Sequence, residues 1–218
     1  MQKRLYSLIL FVLAHVMMMA QTPSGRSAQV TLFPDFKPVI VVMNNGKVNN
    51  LRFGNVFMKN STLVYKQTEK STVMEANMDV VKRITIDKRT FINVDRQLAE
   101  VVATVGENNV VRVRTIDVET MKAEMMNESN YTNFDMGEVF SFTKSDVFDK
   151  EEPYPLMDKY YLIIDGKKIL AHERSVRNML SHKRLDDYDA MIRSNFNWGR
   201  VGDLERLLRF LTAGDSKK

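Results

Sequence analysis

The strongest constraint on the fold of this chain is a series of short apolar runs separated by turn-forming pairs. Val39–Met43 is a β-branched run that leads into Asn45–Gly46, and another apolar run follows that pair. An Asn-Gly pair in this setting favours a type I′ hairpin, because both central residues of that turn need positive φ. Asp165–Gly166 gives the same signal between Tyr160–Ile164 and Ile169–Ala171. The sequence therefore predicts hairpins near both ends of the chain.

Further strand-like segments follow the first hairpin and are separated by polar or glycine-containing turns. They occupy residues 56–58, 62–65, 73–75, 81–86, 90–94, 98–105 and 110–116. No helical pattern lies between them, so the crossover connections that parallel strands require are missing. This spacing predicts an antiparallel meander or a small barrel.

Helical periodicity begins at Val118–Asn127 and returns near the C-terminus. Three later stripes of apolar residues have helical spacing, and each predicts a helix that buries one face: Val176, Met179 and Leu180; Tyr188, Met191 and Ile192; and Leu204, Leu207, Leu208 and Leu211. Asp186 or Asp187 is the predicted N-cap of the second helix, and Asp203 that of the third. The predicted fold class is α+β, with an antiparallel β-rich N-terminal region followed by a β-hairpin and C-terminal α-helices.

Composition divides the chain into five predicted segments. They are a signal peptide (1–20), a flexible leader (21–35), a β-rich domain (36–128), a connecting segment (129–156) and a hairpin plus helical unit (157–213). Two prolines within Glu151–Pro155 favour an extended linker, because a residue before proline avoids the helical region. The sequence leaves open whether the two folded segments share one core.

Residues 1–20 have the three-part pattern of a secretory signal peptide. Lys3 and Arg4 form a basic start, an uncharged apolar run follows, and small Ala20 precedes Gln21. This pattern predicts cleavage between Ala20 and Gln21, and export to the periplasm or the outer surface. An uncleaved anchor is the alternative, because the apolar run is close to the shortest length that spans a bilayer. We expect membrane contact only through this segment, before cleavage.

The chain contains no cysteine. A lipid anchor at a cleaved bacterial signal, a thiol nucleophile and a Cys-ligated zinc site are therefore excluded. The net charge of +5 falls to +3 once Lys3 and Arg4 are removed. This small net charge and the lack of a dense Lys/Arg cluster argue against a nucleic-acid partner. The basic residues of 159–218 could meet phosphate, anionic glycans or a membrane surface. Solvated helix faces are the simpler interpretation.

Catalytic and cofactor motifs are missing from the sequence. His172 and His182 lack the spacing of a metal site, which favours surface histidines. Neither a nucleophile elbow nor a glycine-rich phosphate loop occurs, and we expect no cofactor and no metal. Two carboxylates from distant positions are enough for a glycosidase. Turn formation is the simpler role of acidic residues near strand ends, and the candidates are Glu75, Asp79, Asp87, Asp117 and Glu119.

Trp198 is the single tryptophan, and Arg200 follows it by two residues. These two side chains are weak candidates for ligand contact, because an exposed tryptophan can stack on a sugar or anchor a partner. The simpler interpretation of Trp198 is a plug between two helices, since tryptophan buries a large apolar area.

Several segments resemble secreted proteins of unknown function from Bacteroidetes-type bacteria. The resemblance rests on three stretches and on the junction between Ala20 and Gln21; the stretches are Phe36–Val39 with Met43–Lys47, Leu51–Met58, and Met74–Asp79. The tail, with Tyr160–Leu162 and Asp203–Leu204, is similar to the helical ends of several such envelope proteins. These motifs are turns and core positions, so the resemblance implies a location but no active site.

Together these features predict an exported protein of the bacterial envelope that acts as a non-catalytic binding or structural module. Its expected partner is an envelope protein or a glycan. Two alternatives remain at this stage: a carboxylate-based glycan hydrolase, and an accessory subunit of an envelope transport or secretion system. Whether the protein is an enzyme stays uncertain from the sequence, with a non-catalytic role favoured.

Overall fold

A computed structural model of the protein describes residues 26–27, 29–128 and 153–213. Within these ranges the chain forms mostly one large antiparallel β-sheet with a few helices, which confirms the predicted α+β class at this level. The predicted cleavage site at Ala20 and Gln21 and most of the connecting segment lie outside the described residues. None of the helices in the described ranges is both long enough and apolar enough to cross a membrane.

The sheet has eleven strands, and every pairing is antiparallel. Its strands are β1 (Arg26–Ser27), β2 (Lys37–Met43), β3 (Val48–Phe57), β4 (Thr62–Lys66), β5 (Met74–Glu75), β6 (Val81–Ile86), β7 (Arg89–Val94), β8 (Gln97–Val105), β9 (Asn108–Ile116), β10 (Tyr154–Ile164) and β11 (Lys167–Leu170). The strand order is β1-β10-β9-β8-β7-β6-β2-β3-β4-β5, and β11 pairs with β10. The run from β6 to β9 is a simple meander, and a helix, α1 (Val118–Glu128), follows β9 before the chain returns as β10.

Turn chemistry explains the hairpins. Both central residues have positive φ at Asp87–Lys88, Asp95–Arg96 and Asp165–Gly166, as type I′ turns require. The type I′ turn predicted at Asn45–Gly46 is wrong, because only Gly46 has positive φ and its N–H donates to the Met43 carbonyl at 3.0 Å. That loop is a type I turn followed by a left-handed glycine.

The sheet curls until the β3–β4 loop reaches β8 and β9. Direct pairing between β8 and β9 ends at Glu100 and Arg112, and the β3–β4 loop joins the two strands beyond that point. The Leu98 N–H donates to the Ser61 carbonyl at 2.6 Å, and the Ser61 hydroxyl donates to the Leu98 carbonyl at 2.8 Å. On the other side of the loop, the Ile116 N–H donates to the Met58 carbonyl at 2.8 Å. The loop therefore supplies the hydrogen bonds that the two strands no longer give each other.

An apolar cluster lies beneath the curled part of the sheet, and a buried asparagine fixes the segment that covers it. The cluster includes Val39, Ile84, Phe91 and Phe33. Asn55 is fully buried; its side chain accepts a hydrogen bond from the Phe33 N–H at 3.1 Å and donates to the Phe33 carbonyl at 2.8 Å. These bonds satisfy backbone groups that the segment before β2 would otherwise bury unpaired.

The helices are α1 (Val118–Glu128), α2 (Glu173–Arg177), α3 (His182–Arg193) and α4 (Val201–Ala213). The predicted leucine stripe of α4 is confirmed, because its four leucines are buried in a cluster shared with β9 and β10. The predicted buried face of α2 is wrong in part: Val176 is buried, but Met179 is 47% exposed. The helix ends at Arg177, so Met179 lies outside the regular spacing.

Three helix and strand boundaries differ from the sequence predictions. α3 begins at His182 with Ser181 as its N-cap, five residues before Asp186, so neither Asp186 nor Asp187 caps it. α4 begins at Val201, so the predicted cap Asp203 lies in its first turn instead. β10 begins at Tyr154, inside the predicted linker, and Pro155 pairs with Arg26 of the two-residue β1. At this point β10 pairs with β9 on one side, and on the other side only the two-residue β1 covers it. Proline is tolerated on such a nearly exposed edge.

We predict that Gly54→Ala lowers the free energy of unfolding by about 1–3 kcal/mol. A Cβ at Gly54 would lie 2.3 Å from Cγ2 of Val39, a buried and stiff β-branched side chain. Denaturant unfolding measures the change. Gly202→Ala in α4 is the matched control, because its Cβ would meet nothing within 4 Å. That variant gains up to about 1 kcal/mol from helix propensity. Equal stability of the two variants would contradict the packing described here.

Candidate ligand-binding cleft

An open cleft of about 440 Å³ lies where three segments of the curled sheet meet. This volume falls in the range of small-ligand sites, about 300–1,000 Å³. Seven of the nine lining residues are polar, and Met78 and Ala76 are the apolar ones. The lining residues are Asn60, Thr62, Glu75, Ala76, Asn77, Met78, Asp95, Arg96 and Gln97.

The β3–β4 loop, which bridges the gap between β8 and β9, also builds the cleft. Asn60 and Thr62 flank Ser61, whose bonds to Leu98 hold the loop beside the β7–β8 turn. Gln97 adds a third link, because its side-chain amide donates to the Asn60 carbonyl at 3.3 Å. The far wall is fixed through β4, where Val64 pairs with Glu75. Three segments distant in sequence therefore share one rim.

Glu75 lies at the centre of a small hydrogen-bond network in the cleft. Its Oε1 accepts from Asn60 Nδ2 at 2.9 Å. The Thr62 hydroxyl lies 2.7 Å from Glu75 Oε1 and 2.7 Å from Asn60 Oδ1. A hydroxyl has one hydrogen to donate, so it can serve only one of these two acceptors at a time. The network therefore has more acceptors than donors.

The other two charged residues of the cleft have ion-pair partners. Arg96 Nη2 lies 2.8 Å from Asp79 Oδ2, and both side chains are largely exposed. Asp95 pairs with Lys168 of β11. An exposed pair such as Arg96–Asp79 contributes at most about 1 kcal/mol. Arg96 can therefore exchange this partner for a ligand at small cost.

Arg96 also has a strained backbone. Its φ is +67°, in the left-handed region that glycine adopts most easily. The corresponding position is glycine in the Asp165–Gly166 turn but lysine in the Asp87–Lys88 turn. Strain of this kind is frequent at functional sites, and Asp95 and Arg96 are the two strained residues that line the cleft.

The acidic residues singled out from the sequence are dispersed. Of these, Glu75 lines the cleft and Asp79 lies beside it, paired with Arg96. Asp87 pairs with Lys37 on the surface at 2.6 Å, and this hydrogen bond lowers the pKa of Asp87. Asp117 caps α1, and hydrogen bonds from the Thr120 N–H and hydroxyl lower its pKa.

Glu119 is the remaining acidic candidate. It is exposed and lies 3.5 Å from Lys122, one turn further along α1. Among these acidic candidates, only Glu75 and Asp79 are therefore brought together. The second carboxylate that lines the cleft is Asp95, which sequence reasoning did not select.

Trp198 and Arg200 lie away from the cleft, at the helical end of the molecule. Trp198 is half-buried and packs edge-to-face on Phe196, with ring centroids 4.9 Å apart. Arg200 is 60% exposed and lies 3.5 Å from Asp203. Both predicted surface histidines are exposed; His172 caps α2 by accepting from the Arg174 N–H at 3.3 Å. This arrangement fits the packing interpretation of Trp198.

Sequence reasoning missed Asn60, Thr62, Arg96 and Gln97. Each is a polar residue in or beside a turn, and such residues are common on any surface. The available signal was a two-residue turn with arginine where glycine is usual, at Asp95–Arg96, but Asp87–Lys88 gives a similar signal outside the cleft.

A second group of charges crosses four strands on one face of the sheet. Glu100 receives hydrogen bonds of 2.6 Å from both Arg89 and Arg112. Arg114, on the same strand as Arg112, makes a bidentate hydrogen bond to Asp158 of β10, at 2.6 and 2.7 Å. We name these five residues the charge ladder. It lies where β8 and β9 stop pairing, and its charges are mostly paired with one another, which assigns it a structural role.

Burial and hydrogen bonding act in opposite directions on Glu100. Burial favours the neutral acid and is the largest single influence, but the bonds from Arg89 and Arg112 together outweigh it. The pKa of Glu100 is therefore below its ordinary value. A carboxylate with a lowered pKa stabilises the fold above the ordinary value, and this contribution is lost as pH falls through the lowered one.

We predict that Glu100→Gln lowers the free energy of unfolding by about 2–3 kcal/mol at neutral pH, because two half-buried arginines lose their anion. The difference from the wild type should shrink as pH falls below about 4.5, where Glu100 of the unfolded chain is protonated. Denaturant unfolding at a series of pH values measures it. Glu205→Gln, in an exposed helix pair with Arg209, is the control and should cost under about 0.5 kcal/mol. A pH-independent difference would contradict this account of Glu100.

Comparison with known proteins does not indicate what the cleft binds. Comparison with protein-family models, curated proteins and solved structures finds no match to this chain. Within residues 26–27, 29–128 and 153–213, no group of three or more histidine or acidic side chains is placed to hold a metal ion. The function must therefore be argued from the cleft's own chemistry.

Proposed function

We propose that this protein is an exported, non-catalytic binding protein of the bacterial envelope, and that the cleft beside Arg96 holds its ligand. The proposed ligand class is a glycan. The observation that carries the proposal is the cleft itself: an open space of about 440 Å³ whose walls come from three separate segments and present both donors and acceptors.

The lining favours recognition by hydrogen bonds. Asn77 and Gln97 offer amide groups that both donate and accept, Arg96 donates, and Glu75 accepts. This mixture suits hydroxyl groups, which are donors and acceptors at once. None of the described residues that line the cleft is aromatic, so ring stacking does not contribute and moderate affinity is expected.

The compartment in this proposal comes from the sequence. The basic, apolar and small-residue pattern of residues 1–20 supports export with cleavage before Gln21. In the proposed location, periplasm or outer surface, envelope glycans are the abundant polar ligands.

A glycan hydrolase is the second candidate, and one observation favours it: Glu75 and Asp95 both line the cleft. Their contacts favour binding instead. Asp95 is neutralised by Lys168, and Glu75 is held by Asn60 and Thr62.

We predict that Arg96→Gly weakens ligand binding while stabilising the fold. Glycine relieves the left-handed backbone, which should raise the free energy of unfolding by about 0.5–1 kcal/mol. Loss of a charged hydrogen-bond donor should weaken binding by about tenfold or more. A bacterial glycan array identifies the bound glycan, and titration calorimetry with that glycan measures the change.

Lys88→Gly is the matched control for Arg96→Gly. It relieves the same strain in the neighbouring turn, at φ +65°, but lies outside the cleft lining. It should be stabilised with unchanged binding. If no glycan binds the wild type, or if Arg96→Gly binds as the wild type does, the proposed function is wrong.

Export has a separate test. We predict that the protein recovered from the envelope of its native cells begins at Gln21, because the signal is removed after Ala20. N-terminal sequencing or intact mass measurement decides this. Recovery of abundant protein that begins at Met1 in the cytosol would contradict the proposed location.

A further inference from the structure

We infer that the glycan bound in the cleft carries an unacetylated amino group, and that Glu75 binds its ammonium. This inference rests on the proposed function and adds the chemical class of the ligand. It follows from the balance of charges in the cleft, from the balance of donors and acceptors around Glu75, and from the groups on the facing wall.

Among the residues that the structure describes, the charge balance of the cleft leaves one carboxylate without a cation. Asp95 is paired with Lys168, and Arg96 is paired with Asp79. Glu75 receives hydrogen bonds only from the neutral side chains of Asn60 and Thr62, among the residues the structure describes. The lining therefore presents one uncompensated negative charge, and a cationic group is its natural complement.

The hydrogen-bond balance points the same way. Asn60 Oδ1 and Glu75 Oε1 compete for the single hydrogen of Thr62 at equal distances of 2.7 Å. Glu75 is exposed, so water fills the deficit when no ligand is bound. A ligand that enters must bring donors to replace that water. A primary ammonium supplies three hydrogens and no acceptor, which matches the need of Asn60 and Glu75 together.

The opposite wall suits the sugar ring that carries such an ammonium. Gln97 and Arg96 face the cleft from the β7–β8 turn, and Asn77 follows β5. Their amide and guanidinium groups can bind ring hydroxyls, while Met78 and Ala76 give a small apolar floor. Arg96 would also repel an ammonium placed beside it. The amino group is therefore directed towards Glu75 and the hydroxyls towards the turn.

The test compares three trisaccharides against the purified protein expressed from its complete chain. Glucosamine trimer carries the amino groups, N-acetylglucosamine trimer carries the same ring with acetylated nitrogen, and cellotriose carries hydroxyls alone. Titrations followed by amide chemical shifts at about pH 6 keep the amines protonated. We expect the glucosamine trimer to bind about tenfold or more tightly than either other trimer, with shifts at Asn60, Asn77 and Gln97.

Glu75→Gln is the decisive variant, because it removes the charge, keeps one acceptor oxygen and replaces the other by an NH2 group. It should bind all three trimers with affinities equal within about threefold. Asp87→Asn is the matched control: it removes one negative charge from a surface pair outside the cleft, and the preference for the glucosamine trimer should persist. Unchanged amide spectra away from each substitution confirm that both variants fold.

The outcomes separate the two proposals. If a neutral trimer binds in the cleft as tightly as the glucosamine trimer, the inference about the amino group is wrong and glycan binding stands. A preference that survives in Glu75→Gln also overturns the inference, because the charge would lie elsewhere. If no trimer and no array glycan shifts the cleft residues, both proposals fail.

Discussion

The pair of hydrogen bonds between Ser61 and Leu98 is the constraint on which the rest of this structure depends. β8 and β9 separate after Glu100 and Arg112, which would leave backbone donors and acceptors of both strands unpaired. A buried unpaired backbone group costs about as much as a lost hydrogen bond, so the gap must be filled. The β3–β4 loop fills it, and by doing so it curls the sheet over the apolar cluster around Phe91 and Ile84.

The same closure explains why the polar features of the molecule lie where they do. The charge ladder is centred on Glu100 and Arg112, at the last direct pair of β8 and β9. The cleft lies on the other side of the loop, where Asn60 and Thr62 meet the β7–β8 turn. The separation of β8 and β9 thus creates a gap, and the β3–β4 loop that fills this gap also forms part of the rim of the cleft. The backbone strain at Ser61, with φ +56°, is another consequence of fitting the loop into this space.

Local features of the fold could be predicted from the sequence, whereas the closure could not. Asp165–Gly166 and the leucine stripe of α4 have short-range patterns, and both formed as such patterns predict. The turn at Asn45–Gly46 departed from its pattern because the adjacent Asn44 is bound elsewhere: its N–H donates to the Val80 carbonyl and its side chain to the Asp79 carbonyl. Met179 was misplaced because α2 ends before the stripe is complete.

The cleft was hidden for a related physical reason. Its residues span positions 60 to 97 and are brought together by backbone hydrogen bonds, which impose no pattern on side chains. Glu75 was considered among five acidic candidates, but nothing in the sequence set it apart from Asp87 or Asp117. The structure makes the distinction, because Lys37 pairs with Asp87 and Thr120 donates to Asp117. Glu75 faces the open cleft with neutral neighbours.

The most direct test of this account is the scalar coupling across the hydrogen bond between the Leu98 amide and the Ser61 carbonyl, detected in a long-range HNCO spectrum of the isotope-labelled protein. The account predicts a cross-peak that links the Leu98 nitrogen to the Ser61 carbonyl carbon, together with slow exchange of the Leu98 amide hydrogen. A coupling from Leu98 to a carbonyl of β9 instead, or rapid exchange of that hydrogen, would mean that the loop does not close the sheet.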